Sequence, residues 1–543
     1  MGQWGAFGYA VRYHFGYERI LDHFYGGTSE AQLAALGQPV DPTLRVVILE
    51  NLNLKTNGGY DPVVTSAAGF TVVGSLPGAA PTPVTATAAT SATSAPTTAA
   101  PPASSMTSAT STPTTAAPPA GSTTTSSPSS STTSSSTATS FPAPSSTAPA
   151  TPAAVTPGAS VQVQAGTAVD LRLGSDGTWS VWEGASCTAA RRAVATAAPV
   201  ATGLVDPVIE PATASPTAPL GQLLTLCRHD GVDEALRGLV QAYDLGGFER
   251  TLNLVSLESY LDGVVPAEES AAWGLAGAAQ GSPQGEPWGF QSLEAQAVAA
   301  RSYALAYGAA GGWNGYADIC DSSYCQAYVG AGYEQPVTDA AVADTTGEVR
   351  VAASSAGIIS ARYSASTGGW SAPGSFPAVP DLGDACVARD QPLECNPNHT
   401  WRVAVPAAAV ARRFRAVGPV LGLRVAVRNR CGSLGGRALE VIVTGERGSR
   451  TVSGDTFAAA LGLRSDWFAV ARVVRRPRRP AAVPPTTASS LPPGGTTAPT
   501  STSTSGAAST TVPSSLPPTT APPTTAPPTT GPKTTSTPAP STT

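Results

Sequence analysis

The sequence predicts an α+β fold: a β-rich scaffold with a few helices around one cleft, interrupted and followed by Ala/Pro/Ser/Thr tracts. Three observations predict it. Short apolar or alternating runs at Leu44 to Leu49, Gly69 to Gly74, Val161 to Val163, Val169 to Leu173, Leu423 to Val427 and Leu439 to Val443 have the pattern of strands. Leu257, Leu261 and Val264, then Leu293, Ala297, Ala300 and Ala304, recur at helical spacing. The chain also holds 55 Gly and 51 Pro among 543 residues. Most of the Pro, though few of the Gly, lie with Ser, Thr and Ala in two stretches, one nearly uncharged and one opened by the short basic run Arg475 to Arg479, that lack the apolar side chains to build a core. The 41% hydrophobic fraction is inflated by Ala and overstates the core.

Those tracts set the domain boundaries. Residues 1–75 form an N-terminal part, 76–158 an insert expected to be disordered and to loop out, 159–473 the main domain, and 474–543 a Pro/Thr/Ser tail. In the first part, an aromatic and Gly-rich stretch carries a helix-like run from Tyr9 to Phe24. Two strands follow, with Asn57-Gly58-Gly59 as a turn between them. After the insert, Val161 to Val163, Val169 to Leu173 and Trp179 to Trp182 read as strands, and Cys187 to Cys227 as a loop-like stretch. Towards the end, Ala407 to Ala416 is helix-like. Leu423 to Val427 and Leu439 to Val443 are strands, and Gly432 to Gly436 lies between them.

The formal net charge of −5 gives no reason to expect nucleic-acid binding. No stretch reaches the roughly 18 apolar residues of a membrane span. The seven cysteines lie in the foldable part. Proximity in sequence suggests pairing Cys187 with Cys227, Cys320 with Cys325, and Cys386 with Cys395, leaving Cys431 over. That grouping fits an oxidising compartment.

The chemistry concentrates between Leu254 and Tyr307. A first helix bears Leu257, Tyr260, Leu261 and Val264. Gly263 weakens its end and Pro266 is expected to stop it, so the chain turns as it delivers Glu268 and Glu269. A second, Ala-rich helix from Leu293 to Tyr307 carries Gln296 and Arg301, and its small residues suit a close neighbour. An acid at a turn, set against a helix bearing Gln and Arg, is a plausible acid/base site. The same residues also read as a solvated acid pair with a surface arginine.

Val264-Val265-Pro266-Ala267-Glu268 followed by Leu293-Glu294-Ala295-Gln296-Ala297-Val298-Ala299-Ala300-Arg301-Ser302-Tyr303 resembles the signature of the stage II sporulation protein D family, also called the SpoIID/LytB or amidase-enhancer family. Leu257, Glu258, Tyr260 and Leu261 match it too. Three departures stand out: Glu269 where Met is usual, Glu294 near where Lys is usual, and a longer insert between Trp273 and Leu293. Elsewhere, Met1 to Ala6 resembles the end of the family's Gly-Met-Ser-Gln-Trp-Gly-Ala motif. Cys325-Gln326-Ala327-Tyr328-Val329-Gly330, Ser366-Thr367-Gly368-Gly369 and His399-Thr400-Trp401 resemble further family elements. Because Met1 falls inside a motif, an export signal is expected upstream of it. The Ala/Arg/Gly/Pro bias suits a high-GC, actinobacterial type of bacterium.

The resemblance implies a secreted or wall-associated protein acting on peptidoglycan glycan strands, with a cell-wall amidase as a further partner. Two activities follow from it. One is a lytic transglycosylase using a single glutamate, Glu268, whose pKa partial burial should raise. The other is a non-catalytic enhancer of an amidase. Gln296, Arg301, Tyr303, Ser366, Thr367 and Gly368 would bind or orient the glycan. No cofactor is called for. Some members bind zinc near the Cys-Gln element, but no His lies nearby in this sequence, so no metal is assigned. Glu269 would either raise the pKa of Glu268 by repulsion or face solvent.

Overall fold

A computed structural model of the chain describes residues 1–53, 58–74, 160–385 and 396–470, all within one compact unit, Met1–Val473. The expectations for the 76–158 insert, the tail after 470, Asn57 and the Cys386–Cys395 pair lie outside the described residues.

The architecture is α+β. A seven-stranded sheet has the order Ile319–Cys320, Thr43–Val47, Glu249–Ser256, Leu239–Asp244, Val208–Pro211, Phe70–Val73, Ser160–Val163. All its pairings are antiparallel except that of Ile319–Cys320 with Thr43–Val47. A six-stranded sheet has the order Ala201–Leu204, Trp179–Gly184, Ala168–Leu173, Val63–Thr65, Leu224–Cys227, Asp233–Leu236. Alternation sends one row of each sheet into a shared core. Leu44, Val46, Val72 and Val240 come from the first sheet, and Val64, Leu171, Val181 and Leu226 from the second. Val47 and Leu252 point the other way and pack with Tyr316 and Cys320.

The N-terminal run is two helices, not one: α1 (Gln3–Tyr13) and α2 (Tyr17–Phe24). His14 takes a left-handed conformation (φ 52°) that ends α1, and Gly16 precedes α2. The stretch between Cys187 and Cys227 is also more ordered than its composition suggests. It holds helix α3 (Cys187–Thr196), capped by Ser186, and three strands. Its two cysteines are joined, as are Cys320 and Cys325. Cys431 is a free thiol.

Helix α4 (Leu257–Glu268) starts at Ser256, whose hydroxyl accepts from the Ser259 N–H. It does not stop at Pro266. The proline sits in its last turn and removes the N–H that would bond the Asp262 carbonyl; the helix still runs to Glu268 and ends with Glu269 N–H bonded to Val265 O (2.8 Å). Gly263 serves packing: a Cβ there would lie 2.7 Å from the Tyr328 ring. After α5 (Ala271–Gly274) comes α6 (Phe290–Ala309), the central helix. The sequence suggests one apolar face on α6, but the structure buries it on two. Leu293, Ala297, Ala300 and Ala304 meet the β core and α4. Ala295, Val298 and Ala299 meet Ala6, Ala10, Ile20 and Leu21 of α1 and α2. A helix apolar all round belongs inside, and Ala lets neighbours close in from both sides. Helix α7 (Pro336–Asp344) completes this layer.

The C-terminal part has its own core. Strands Val420–Arg428, Ala438–Gly445 and Gly448–Ser453 form an antiparallel sheet. Helices α8 (Ala407–Arg413) and α9 (Gly454–Leu461) cover it through Val410, Phe414, Val441, Val443 and Phe457.

Candidate functional site

Glu268 is the last residue of α4 and is half-buried. Its Oε1 accepts from the Ala327 N–H at 2.7 Å, and its Oε2 from Gln3 Nε2 at 3.3 Å. Each donor has a clear origin. Ala327 follows the six-residue loop closed by Cys320–Cys325, whose path is fixed by Leu49 N–H on Asp321 Oδ1 (3.0 Å) and by Tyr328 N–H on Asp321 O (2.9 Å). Gln3 opens α1, and its own N–H bonds Ser364 O (2.9 Å). The glycines of α1 allow that placement: a Cβ on Gly5 would meet the Asp381 carboxylate, and one on Gly8 would lie 2.1 Å from Gly383 O. Helical glycine costs about 1 kcal/mol relative to Ala, and here the close approach requires it.

Behind Glu268 runs a buried polar chain. Tyr260 Oη donates to Gln326 Oε1 (3.1 Å), and Gln326 Nε2 donates to Tyr363 Oη (2.8 Å) and Ala300 O (3.2 Å). Burial first, and then the charge of Glu268, push the Tyr363 hydroxyl well above its ordinary range, so it stays protonated beside the acid. Tyr303 packs edge-on against Tyr363, with ring centroids 6.4 Å apart.

Glu269 does not face solvent. It is 2% exposed, and burial raises its pKa well above the carboxylate range. Its burial rules out the solvent-facing role expected of it, and the charge of Glu268 is among the causes that raise its pKa.

The second helix supports more than it contacts. Arg301 is fully buried. Its Nε and Nη2 donate to Glu258 Oε1 and Oε2 (2.8 and 2.5 Å), and its other bonds reach Glu348 O, Val342 O and Thr345 Oγ1. Each guanidinium N–H is thereby used, and α6 is tied to α4 and α7. The expectation of a ligand contact gives way to a structural clamp, because the partner that claims Arg301 is Glu258. Gln296 is also fully buried, and its amide has no partner among the described residues.

The 366–369 loop lies beside α1, with Trp4 N–H on Ala365 O (3.1 Å). Its backbone donors do not face an open space. Thr367 N–H and Gly368 N–H bond Asp384 Oδ1 and Oδ2 (2.9 and 3.0 Å), and Ser366 Oγ donates to Oδ2 (2.9 Å). Thr367 Oγ1 donates to Asp381 Oδ2 (2.7 Å). Burial, with the charge of Asp384, pushes Asp381 up to about 7 against the lowering effect of that hydroxyl. His399 Nδ1 lies 2.8 Å from Asp384 Oδ2. The loop's polar groups thus hold the loop, leaving the half-buried Ser366 and Gly368 to present its outer edge.

Sequence reasoning missed Gln3, Gln326 and Tyr363 as neighbours of Glu268. Gln3 and Gln326 lie in motifs singled out above and Tyr363 three residues before another, but their convergence is a property of the fold. Among the described residues no group of His, Cys, Asp and Glu is arranged to hold a metal, and no helix is long and apolar enough to cross a membrane.

No significant match to a curated protein or to a solved structure was found. Residues 247–351 match the family model SpoIID, described as stage II sporulation protein. That stretch holds Glu268, Gln296, Arg301, Tyr303 and Ala327 but neither Gln3 nor the 366–369 loop; over these residues the chain is similar to the SpoIID family, and the match supports a SpoIID-like domain with a cell-wall-related role.

Proposed function

We propose that this protein cleaves the MurNAc–GlcNAc bond of peptidoglycan glycan strands as a lytic transglycosylase, with Glu268 as its single acid/base group. The supporting observation is the setting of Glu268: one half-buried carboxyl at a helix end, held between Gln3 and Ala327 N–H and backed by Tyr363. In this scheme the Glu268 carboxyl gives its proton to the glycosidic oxygen as the C1–O bond breaks. The carboxylate then takes the proton of the muramic C6 hydroxyl as that oxygen bonds C1, leaving a 1,6-anhydro sugar and the starting form of the enzyme. No water is consumed, unlike the two-carboxylate hydrolytic schemes. Tyr303, Ser366 and Gly368 are assigned to the groove wall, and Gln296, Arg301 and the buried Thr367 to its support. Two disulfides suit a secreted or wall-associated protein.

One observation favours the second reading, a non-catalytic enhancer of a wall amidase. Both oxygens of Glu268 already have protein donors, as a structural carboxylate would. Incubation with glycan strands stripped of peptide separates the two. Anhydro-muramyl products that vanish in Glu268→Gln support the enzyme. No product, with faster cleavage by an added amidase, supports the enhancer.

A further inference from the structure

The charge of this chain is unevenly spread. Residues 396–470 hold eleven arginines, no lysine and four acidic residues, a formal +7 within a chain of net −5. A cavity of 650 Å³ lies in this basic part, between α8, the end of α9 and residues 403–406. Its floor is apolar, with Ala409, Ala459 and Leu461 among its residues. Arg412, Arg413 and Arg415 line it as well, all exposed. Among the described residues these three guanidinium groups have no acidic partner, whereas Arg301, Arg237 and Arg437 are each paired with one. The cavity has the volume of a small-molecule site, and unpaired arginines suit a carboxylate, which they can bind through two parallel N–H groups.

We infer that this cavity between α8 and α9 binds a short apolar peptide that carries a free carboxylate. The apolar floor decides against a bare anion: an inorganic phosphate would use the arginines and leave the alanine and leucine surface wet, whereas alanyl methyl groups would cover it. The D-alanyl ends of peptidoglycan peptide stems have this chemistry, so the inference rests on the wall reading above and adds a recognition element distinct from Glu268. The cavity would hold the chain on peptide-bearing wall material, while cleavage proceeds at the site on α4.

The test is calorimetric titration of the full chain with N-acetyl-D-Ala-D-Ala, as the free acid and as its C-terminal amide. Glycan and cleavage play no part in it, so the Glu268→Gln protein should bind the probe unchanged even if the proposed activity fails. The free acid should bind at least tenfold more tightly than the amide. Binding should be lost in the triple variant R412A/R413A/R415A and in A459W, which fills the floor without altering charge. Equal binding of acid and amide, no binding of either, or full binding in A459W would overturn the inference. So would tighter binding of inorganic phosphate or of an oligonucleotide than of the peptide. If the triple variant failed to fold, the acid–amide comparison and A459W would still decide.

Discussion

Gln3 and Glu268 stand 265 positions apart in the chain and meet through a 3.3 Å hydrogen bond, Nε2 to Oε2. The bond joins the N-terminal helix to the end of α4, and with Ala327 N–H it sets the direction of the carboxyl group. Gln3→Ala removes one of its two protein donors. Losing a hydrogen bond to a charged group costs about 1.5–3 kcal/mol, so glycan cleavage should fall by about tenfold or more. The same bond joins α1 to α4, so the midpoint of thermal unfolding should fall as well. Initial rates on stripped glycan strands check this, and an unchanged rate would remove Gln3 from the site.

Arg301 predicts a stability effect. Breaking a buried ion pair by removing one partner leaves the other charge stranded, at about 3–5 kcal/mol. Arg301→Met should therefore lower the urea midpoint sharply. Replacing Glu258 as well, in R301M/E258M, should recover much of the loss. If the double variant is no more stable than the single, the pair is not what holds α6 to α4.

Glu294 predicts a pH dependence. It is buried on α6, with Oε1 accepting from Gln284 and Oε2 from Gln291 (3.1 and 2.6 Å). Burial, reinforced by nearby acids, raises its carboxyl from 4.5 to about 8. Below pH 4.5 the folded and unfolded chains both carry the proton, and its contribution to stability is complete. Between 4.5 and 8 only the folded form keeps it, so stability is lost as pH rises, by at most about 1.4 kcal/mol per pH unit. Glu294→Gln should match the parent near pH 4.5 and exceed it at pH 8, with the gap widening between. Urea midpoints across that range measure it, and a constant gap would contradict the assignment.

The Cys320–Cys325 bridge leads directly into Gln326 and Ala327. Chain entropy assigns about 2 kcal/mol to a loop this short. Cys325→Ser should lose about that much stability and also slow glycan cleavage, because the Ala327 N–H that orients Glu268 would be less firmly placed. A variant as active as the parent would show that the bridge serves stability alone.

Much of the fold was legible in the residues themselves. Helical spacing located α4 and α6, an apolar run located the strand at Thr43–Val47, alternation located that at Ala168–Leu173, and proximity in sequence paired two sets of cysteines. Where the reading failed, tertiary context outweighed a local rule. Pro266 removes the N–H that would bond the Asp262 carbonyl, yet α4 continues for two more residues and closes with the Glu269 N–H on Val265 O. His14 breaks the N-terminal helix through a left-handed turn that its residue type does not announce. The stretch after Cys187 is too rich in Ala and small residues for alternation to reveal its strands. Arg301 looked available because Glu258, its partner, is 43 positions away. The loop at Gly368 looked open because Asp384, which occupies its N–H groups, comes from a later segment. For the same reason Glu268 could be picked from its motif, but Gln3 and Tyr363 could not be placed beside it.

The most direct measurement is product analysis by mass spectrometry after the purified chain is incubated with peptide-free glycan strands, run in parallel for the parent and for Glu268→Gln. The proposal predicts 1,6-anhydro-muramyl ends from the parent and, from Glu268→Gln, a rate lower by at least a hundredfold with an unchanged fold. Reducing ends in place of anhydro ends, or equal rates from the two proteins, would contradict it.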